Sequence, residues 1–128
     1  MTGIDISSHN VVTDWNAVKA DGIDFVMLRV GVRTYGSGTL REDEMFRQYY
    51  NDAKNAGLKV GAYFFSQAIT EEEAVEEAVM TARQLYGLDL DFPVAYDWEI
   101  IYDDEEGART DSVSVETLTS CTLAFCEN

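Results

Sequence analysis

Gly57-Leu58-Lys59-Val60-Gly61-Ala62-Tyr63-Phe64-Phe65 reads as a helix end, a turn and a buried strand in close succession. Glycine is the natural residue just past a helix terminus, where the backbone turns left-handed. An apolar residue follows, and 60–65 is then almost continuously apolar, as a parallel strand covered on both faces is. The same order recurs on either side. Gly22-Ile23 leads into Phe25-Val26-Met27-Leu28-Arg29-Val30, and Gly87-Leu88 leads through Phe92 to Pro93-Val94-Ala95-Tyr96. The three glycines stand 35 and 30 residues apart, which fits one strand plus one helix per unit.

The intervening segments carry helical periodicity. Thr13 is placed to cap a short helix through Trp15, Val18 and Lys19, and a longer one covers Asp43 to Asn55, with Phe46, Tyr50 and Ala53 on one face. Thr70 with Glu73 forms a capping box, followed by the stripe Ala74, Ala78, Ala82 and Leu85. The glutamates of that first turn suit the positive end of the helix dipole. Ser114 caps a last helix carrying Val115, Leu118, Thr122 and Phe125. With an opening strand at Gly3 to Ser7, the order is βαβαβαβα. An open doubly wound sheet and part of a β/α barrel both fit. No Gly-rich phosphate loop follows the first strand, which weakens the nucleotide-binding version.

The 128 residues make one domain, and with a single proline, Pro93, no Pro- or Ser-rich linker divides them. A β/α barrel needs about 250 residues, or about 200 when compact. Four strands cannot close one, so the barrel reading expects a chain incomplete at its C-terminus.

Charge narrows the partners. Twenty-four acidic against nine basic residues give a net charge of −15, the opposite of what nucleic acid or an anionic membrane surface requires. The acids gather at Glu71, Glu72, Glu73, Glu76 and Glu77 and at Asp103, Asp104, Glu105 and Glu106, which read mainly as a solvated helix face and a solvated loop. There is no run of about 18 apolar residues to span a membrane. Met1-Thr2-Gly3-Ile4-Asp5 has no basic segment followed by an apolar one, so no signal peptide is visible. Cys121 and Cys126 are five apart, a helical spacing that points them in different directions and disfavours a disulfide.

Asp97-Trp98-Glu99 ends the fourth strand. Side chains two apart on a strand share a face. Two carboxylates therefore stand side by side at a strand's C-terminal end, where β/α folds carry their active sites. Like charges so close raise the pKa of one of them, as a general acid requires. Asp5 is a third candidate: in Gly3-Ile4-Asp5-Ile6-Ser7 the isoleucines face one way and Asp5 and Ser7 the other. Chance acid-x-acid pairing and a hard-cation site are the competing readings. With His9 the only histidine, a His-rich transition-metal site is not expected, and no nucleophile-elbow sequence supports a Ser-His-Asp triad that would draft it. No cofactor is expected.

At these positions the sequence resembles the family 25 glycoside hydrolases, the N-acetylmuramidases of bacteria, phages and some fungi. The resemblance rests on Gly3-Ile4-Asp5-Ile6-Ser7-Ser8-His9, Asp14-Trp15-Asn16-Ala17-Val18-Lys19, Ile23-Asp24-Phe25-Val26 with Arg29-Val30-Gly31, Ala56 to Ser66, and Pro93-Val94-Ala95-Tyr96-Asp97-Trp98-Glu99. Five pieces in order cover residues 3 to 99. Asn10-Val11 departs from the Gln-Gly pair usual there. The family's last strands, with a further acidic residue and aromatic groove walls, have no counterpart in this chain.

The resemblance implies a flattened, irregular β/α barrel of TIM type, incomplete at the C-terminus. It implies a lysozyme that cuts the β-1,4 bond from N-acetylmuramic acid to N-acetylglucosamine, acting on peptidoglycan glycan strands at the cell wall outside the cell. Glu99 becomes the general acid, with Asp97 and Asp5 its acidic partners, and Tyr63 a wall of the sugar cleft. Trp98 and Arg29 join as candidate substrate contacts. Packing competes for both aromatics, and an ion pair with a nearby carboxylate competes for Arg29, because an unpaired charge in an apolar strand is costly. Tyr35 and Tyr102 lie in loops after strands, where they border the cleft or decorate the surface. Direct nucleophilic retention needs carboxylates about 5–5.5 Å apart. Strand positions two apart start wider, at roughly 6.6 Å. The spacing fits better with attack by the substrate's own 2-acetamido group, oriented by Asp97, or a water-mediated route. A non-catalytic barrel that binds wall glycan or pairs with a second chain through an exposed sheet edge, and a chitinase-like glycosidase, are the other two readings.

Overall fold

The computed structural model describes residues 1–101 and 107–128. Among the described residues the elements run, in chain order, β1 (Gly3–Ile6), α1 (Trp15–Ala20), β2 (Phe25–Arg33), β3 (Leu40–Glu42), α2 (Phe46–Asn55), β4 (Lys59–Ser66), α3 (Glu71–Leu85), β5 (Ala95–Trp98) and α4 (Val115–Glu127). The fold is α/β with parallel strands. The sheet runs β1-β2-β4-β5, and β1 pairs parallel with β2, Gly3 opposite Phe25 through Ile6 opposite Leu28. β3, which the sequence reading missed, pairs antiparallel with the end of β2, Gly31 opposite Glu42. At three residues it is too short to show alternation.

The three glycines that set the repeat have φ of 93°, 82° and 78° at Gly22, Gly57 and Gly87, each just after a helix end. The caps differ from expectation in detail. Asp14, not Thr13, caps α1 by accepting from Ala17 N at 3.0 Å. Thr70 caps α3 and Ser114 caps α4, each accepting from the backbone three residues on. Such a cap contributes about 1 kcal/mol. Helix α2 begins at Phe46 without a side-chain cap, because its N-cap residue is Met45, which has no side-chain oxygen to accept from the first turn. β5, expected from sequence as the fourth strand, begins at Ala95, leaving Pro93 and Val94 outside it.

The chain forms two compact units. The first comprises 1–30, 43–63 and 87–95, the second 31–42, 64–86 and 96–128. In the first, the strands bury Val26, Leu28 and Val30, alternate residues of β2, and Val60, Gly61 and Ala62, consecutive residues of β4. Trp15 meets Tyr49 edge to face at 5.4 Å, and Tyr49 donates to Asn10 O at 2.6 Å. In the second, Phe64, Ala68, Ala74, Ala78, Cys121 and Phe125 make the core, and Tyr96 packs on Phe125 with ring centroids 4.5 Å apart. Each large side chain buried here stabilises by roughly 1.5–3 kcal/mol. Along β2 the burial alternation changes phase at Val30 and Gly31, both buried, so that Arg33 becomes buried as well. The two cysteines are free, Cys121 buried and Cys126 exposed.

Candidate functional site

The end of β5 is built by three consecutive residues in the second unit. Asp97 lies within the strand, half-buried, and Trp98 is its last residue. Glu99 follows the strand and is exposed. Two hydrogen bonds from this end reach the segment after β4: Trp98 Nε1 donates to Ala68 O at 3.1 Å, and Gln67 Nε2 donates to Glu99 O at 2.8 Å.

Beneath it lies a buried polar network that the sequence reading did not single out. Arg33 Nε is 3.0 Å from Glu77 Oε1, and its other nitrogens reach Gly38 O, Glu73 O and Glu76 Oε2. Ser66 Oγ donates to Glu77 at 2.7 Å and lies 2.9 Å from the Tyr96 hydroxyl. Burial pushes the Glu77 carboxyl up to about 7, against the opposing pull of Ser66 and Arg33. Burial likewise raises the Tyr96 hydroxyl and the Cys121 thiol. Glu73 sits half-buried at the start of α3. Burial opposes its ionisation, yet the Arg109 guanidinium and the Ile69 N–H hold its carboxyl below the usual range. Arg109 binds both its oxygens, at 2.7 and 3.1 Å. The capping box is therefore partly diverted, since Glu73 reaches Ile69 N and Arg109.

These residues carried a readable signal. Glu77 falls on the stripe Ala74, Glu77, Ala78, Thr81 that α3 buries, and Ala82, expected on that stripe, is exposed. Glu71, Glu72 and Glu76 are exposed, as a solvated face should be. The acids at 103–106 and Tyr102 lie outside the described residues. Tyr35 is exposed.

Asp5, Arg29 and Tyr63 belong to the first unit. Asp5 is exposed on β1, opposite Met27 in register, while Ile6 and Ser7 after it are both buried. Arg29 makes the ion pair anticipated for it: Nε lies 2.8 Å from Asp43 Oδ2, and Nη2 donates to Ser8 Oγ at 3.2 Å. Asp43 also accepts from the backbone N–H of Ser8 and of Met45, so one buried carboxylate ties β2 to the turn after β1 and to the start of α2. Tyr63 is half-buried in β4 between buried Ala62 and Phe64, and so leaves the strand on the face opposite theirs. Among the described residues no helix is long and apolar enough to cross a membrane.

Residues 4–127 match the model of glycosyl hydrolases family 25. The autolytic lysozyme of Clostridium acetobutylicum is 35% identical over 100 residues, which is 78% of this chain and 28% of that protein. Among solved structures, a family GH25 lysozyme from Aspergillus fumigatus is 26% identical with a TM-score of 0.72, covering 98% of this chain and 57% of that one. The modular autolysin LytC from Streptococcus pneumoniae, in complex with a synthetic peptidoglycan ligand, has a TM-score of 0.78 at 22% identity, covering 98% of this chain and 28% of its own. The chain thus spans 28% of the curated relative and between about a quarter and three fifths of these structures.

Proposed function

The chain belongs to glycosyl hydrolases family 25, and from that membership we propose that it is a lysozyme-type glycosidase of bacterial cell-wall peptidoglycan with Glu99 as its proton donor. The bond cut is the β-1,4 link from N-acetylmuramic acid to N-acetylglucosamine. The observation that carries this reading is the placement of Asp97 and Glu99 on either side of Trp98, at the C-terminal end of β5. Chemistry in β/α folds gathers at that end of the strands. The names of the relatives support the substrate, one being an autolytic lysozyme and another an autolysin solved with a peptidoglycan ligand. The parallel strands belong, in this reading, to an irregular β/α barrel of TIM type, and residues 1–128 to one catalytic domain working at the cell wall outside the cell.

Glu99 protonates the bridging oxygen as the bond from C1 of the muramic acid breaks and positive charge grows there. The acetamido oxygen of the same sugar attacks C1, held in line by the Asp97 carboxylate. Water then opens that intermediate, giving up its proton to the Glu99 carboxylate. Asp5 offsets the developing positive charge. Tyr63 and Trp98 offer aromatic faces to sugar rings, and Arg29 shapes the substrate side by holding Ser8.

Digestion of purified peptidoglycan, followed by borohydride reduction and sugar analysis, tests the bond assignment. Reduced muramic acid is the expected product. Reduced glucosamine alone, or cleavage confined to chitin, would assign a different glycosidase, and binding without any new reducing end would assign a glycan-binding module.

A further inference from the structure

We propose that Gln67 is a positioning residue for Glu99. The inference rests on the assignment of Glu99 as proton donor and adds the group that fixes where that donor stands.

Gln67 follows β4, and its side chain is fully buried. Its amide makes three hydrogen bonds. Nε2 donates to Glu99 O at 2.8 Å and to Ser66 O at 3.0 Å, while Oε1 accepts from Thr110 Oγ1 at 3.0 Å. Thr110 is itself 2% exposed. This pattern settles which way the amide faces. Rotated by half a turn, its oxygen would oppose two carbonyl oxygens and lose the threonine hydroxyl. The amide nitrogen therefore aims at Glu99. The Gln67 carbonyl is held in turn by Arg109 Nη1 at 3.2 Å, and Arg109 grips Glu73 at the start of α3.

The need for such a device follows from where Glu99 lies. It stands one residue past the end of β5 and its residue is exposed. Packing does not fix it. The Gln67 amide, together with the bond from Trp98 Nε1 to Ala68 O, ties two successive residues at this end to the 67–68 segment. A proton donor must come within about 2.6–3.2 Å of its target oxygen, and displacement by about 1 Å costs roughly a hundredfold in rate.

Gln67→Met keeps the length of the side chain and removes both amide functions; Thr110→Val removes the hydroxyl that orients the amide. Peptidoglycan hydrolysis by the full chain is measured for both, beside Glu99→Gln, with melting temperatures. For folded Gln67→Met, kcat should fall about 10- to 100-fold with KM within about twofold, and the alkaline limb of the pH–rate profile should move. Thr110→Val should lower kcat by about threefold with the limb displaced in the same direction. A role confined to filling the interior would lower the melting temperature and leave kcat and the limb of the folded protein in place. That result, with Glu99→Gln inactive, overturns the positioning role and spares the acid. Should Gln67→Met not fold, wild-type kcat in Thr110→Val overturns it equally. Lysis at the wild-type rate by Glu99→Gln would instead overturn the acid assignment, and the role of Gln67 with it.

Discussion

Arg33 and Glu77 meet in the interior of the second unit, guanidinium Nε 3.0 Å from carboxylate Oε1, with side chains 5% and 0% exposed. Two charges in such surroundings lose more hydration than their attraction returns. Burial is accordingly the dominant influence on Glu77, whose carboxyl is raised to about 7. Between an unfolded value near 4.5 and this folded one, the folded chain binds the extra proton. The stability that this proton contributes is complete below pH 4.5 and is lost as pH rises through about 7. The loss is on the order of 3 kcal/mol. Urea unfolding at pH 5 to 8 should show stability declining across this window, and Glu77→Gln should flatten the decline. Parallel profiles for the two proteins would show that Glu77 does not titrate there.

Asp43 is the hub of the first unit, and its side chain is 1% exposed. Replacing it by alanine leaves Arg29 without its counter-charge and strands the N–H groups of Ser8 and Met45. Asp43→Ala should cost about 3–5 kcal/mol of folding free energy. The Lys54–Asp91 pair has almost the same separation, 2.9 Å, but its side chains are 27% and 32% exposed. Lys54→Ala should therefore cost less than about 1 kcal/mol. Equal losses in chemical denaturation would refute the ranking by burial.

Gly31 is required by space. A Cβ there would lie 2.8 Å from Arg41 O and 2.9 Å from the Phe64 ring. Backbone cannot retreat as a flexible side chain can, so Gly31→Ala should destabilise by about 1–3 kcal/mol. At Gly36 nothing lies within 4 Å of a Cβ. Gly36→Ala should leave the melting temperature unchanged or raise it slightly.

The repeat of glycine, apolar residue and strand was legible because it is local: Gly22, Gly57 and Gly87 all adopt the left-handed backbone that their position demands. Helix starts were legible to within a few residues for the same reason, through Thr70 and Ser114. Short β3 escaped because three residues carry no period. Glu77 was counted with a solvated glutamate face, since composition cannot distinguish it from Glu76 one position away. Only the phase of the helix does: Glu77 lies on the stripe that buries Ala74 and Ala78, while its partners Ser66 and Arg33 are far off in sequence. The pairing of Arg29 was foreseen from the cost of an unpaired charge in an apolar strand. Its partner, Asp43, was read instead as part of the helix it precedes. Gln67 shows the same limit, because its partners Glu99 and Thr110 lie 32 and 43 residues away.

Everything proposed about catalysis turns on the proton of Glu99, and an isosteric replacement tests it most directly. Initial rates of peptidoglycan solubilisation should be measured for the full chain and for Glu99→Gln, with circular dichroism and melting curves to establish that both are folded. The amide cannot donate a proton of useful acidity, so kcat should fall by about 10²–10⁴-fold while glycan binding is retained. A folded Glu99→Gln protein that solubilises the wall at the wild-type rate would contradict the account.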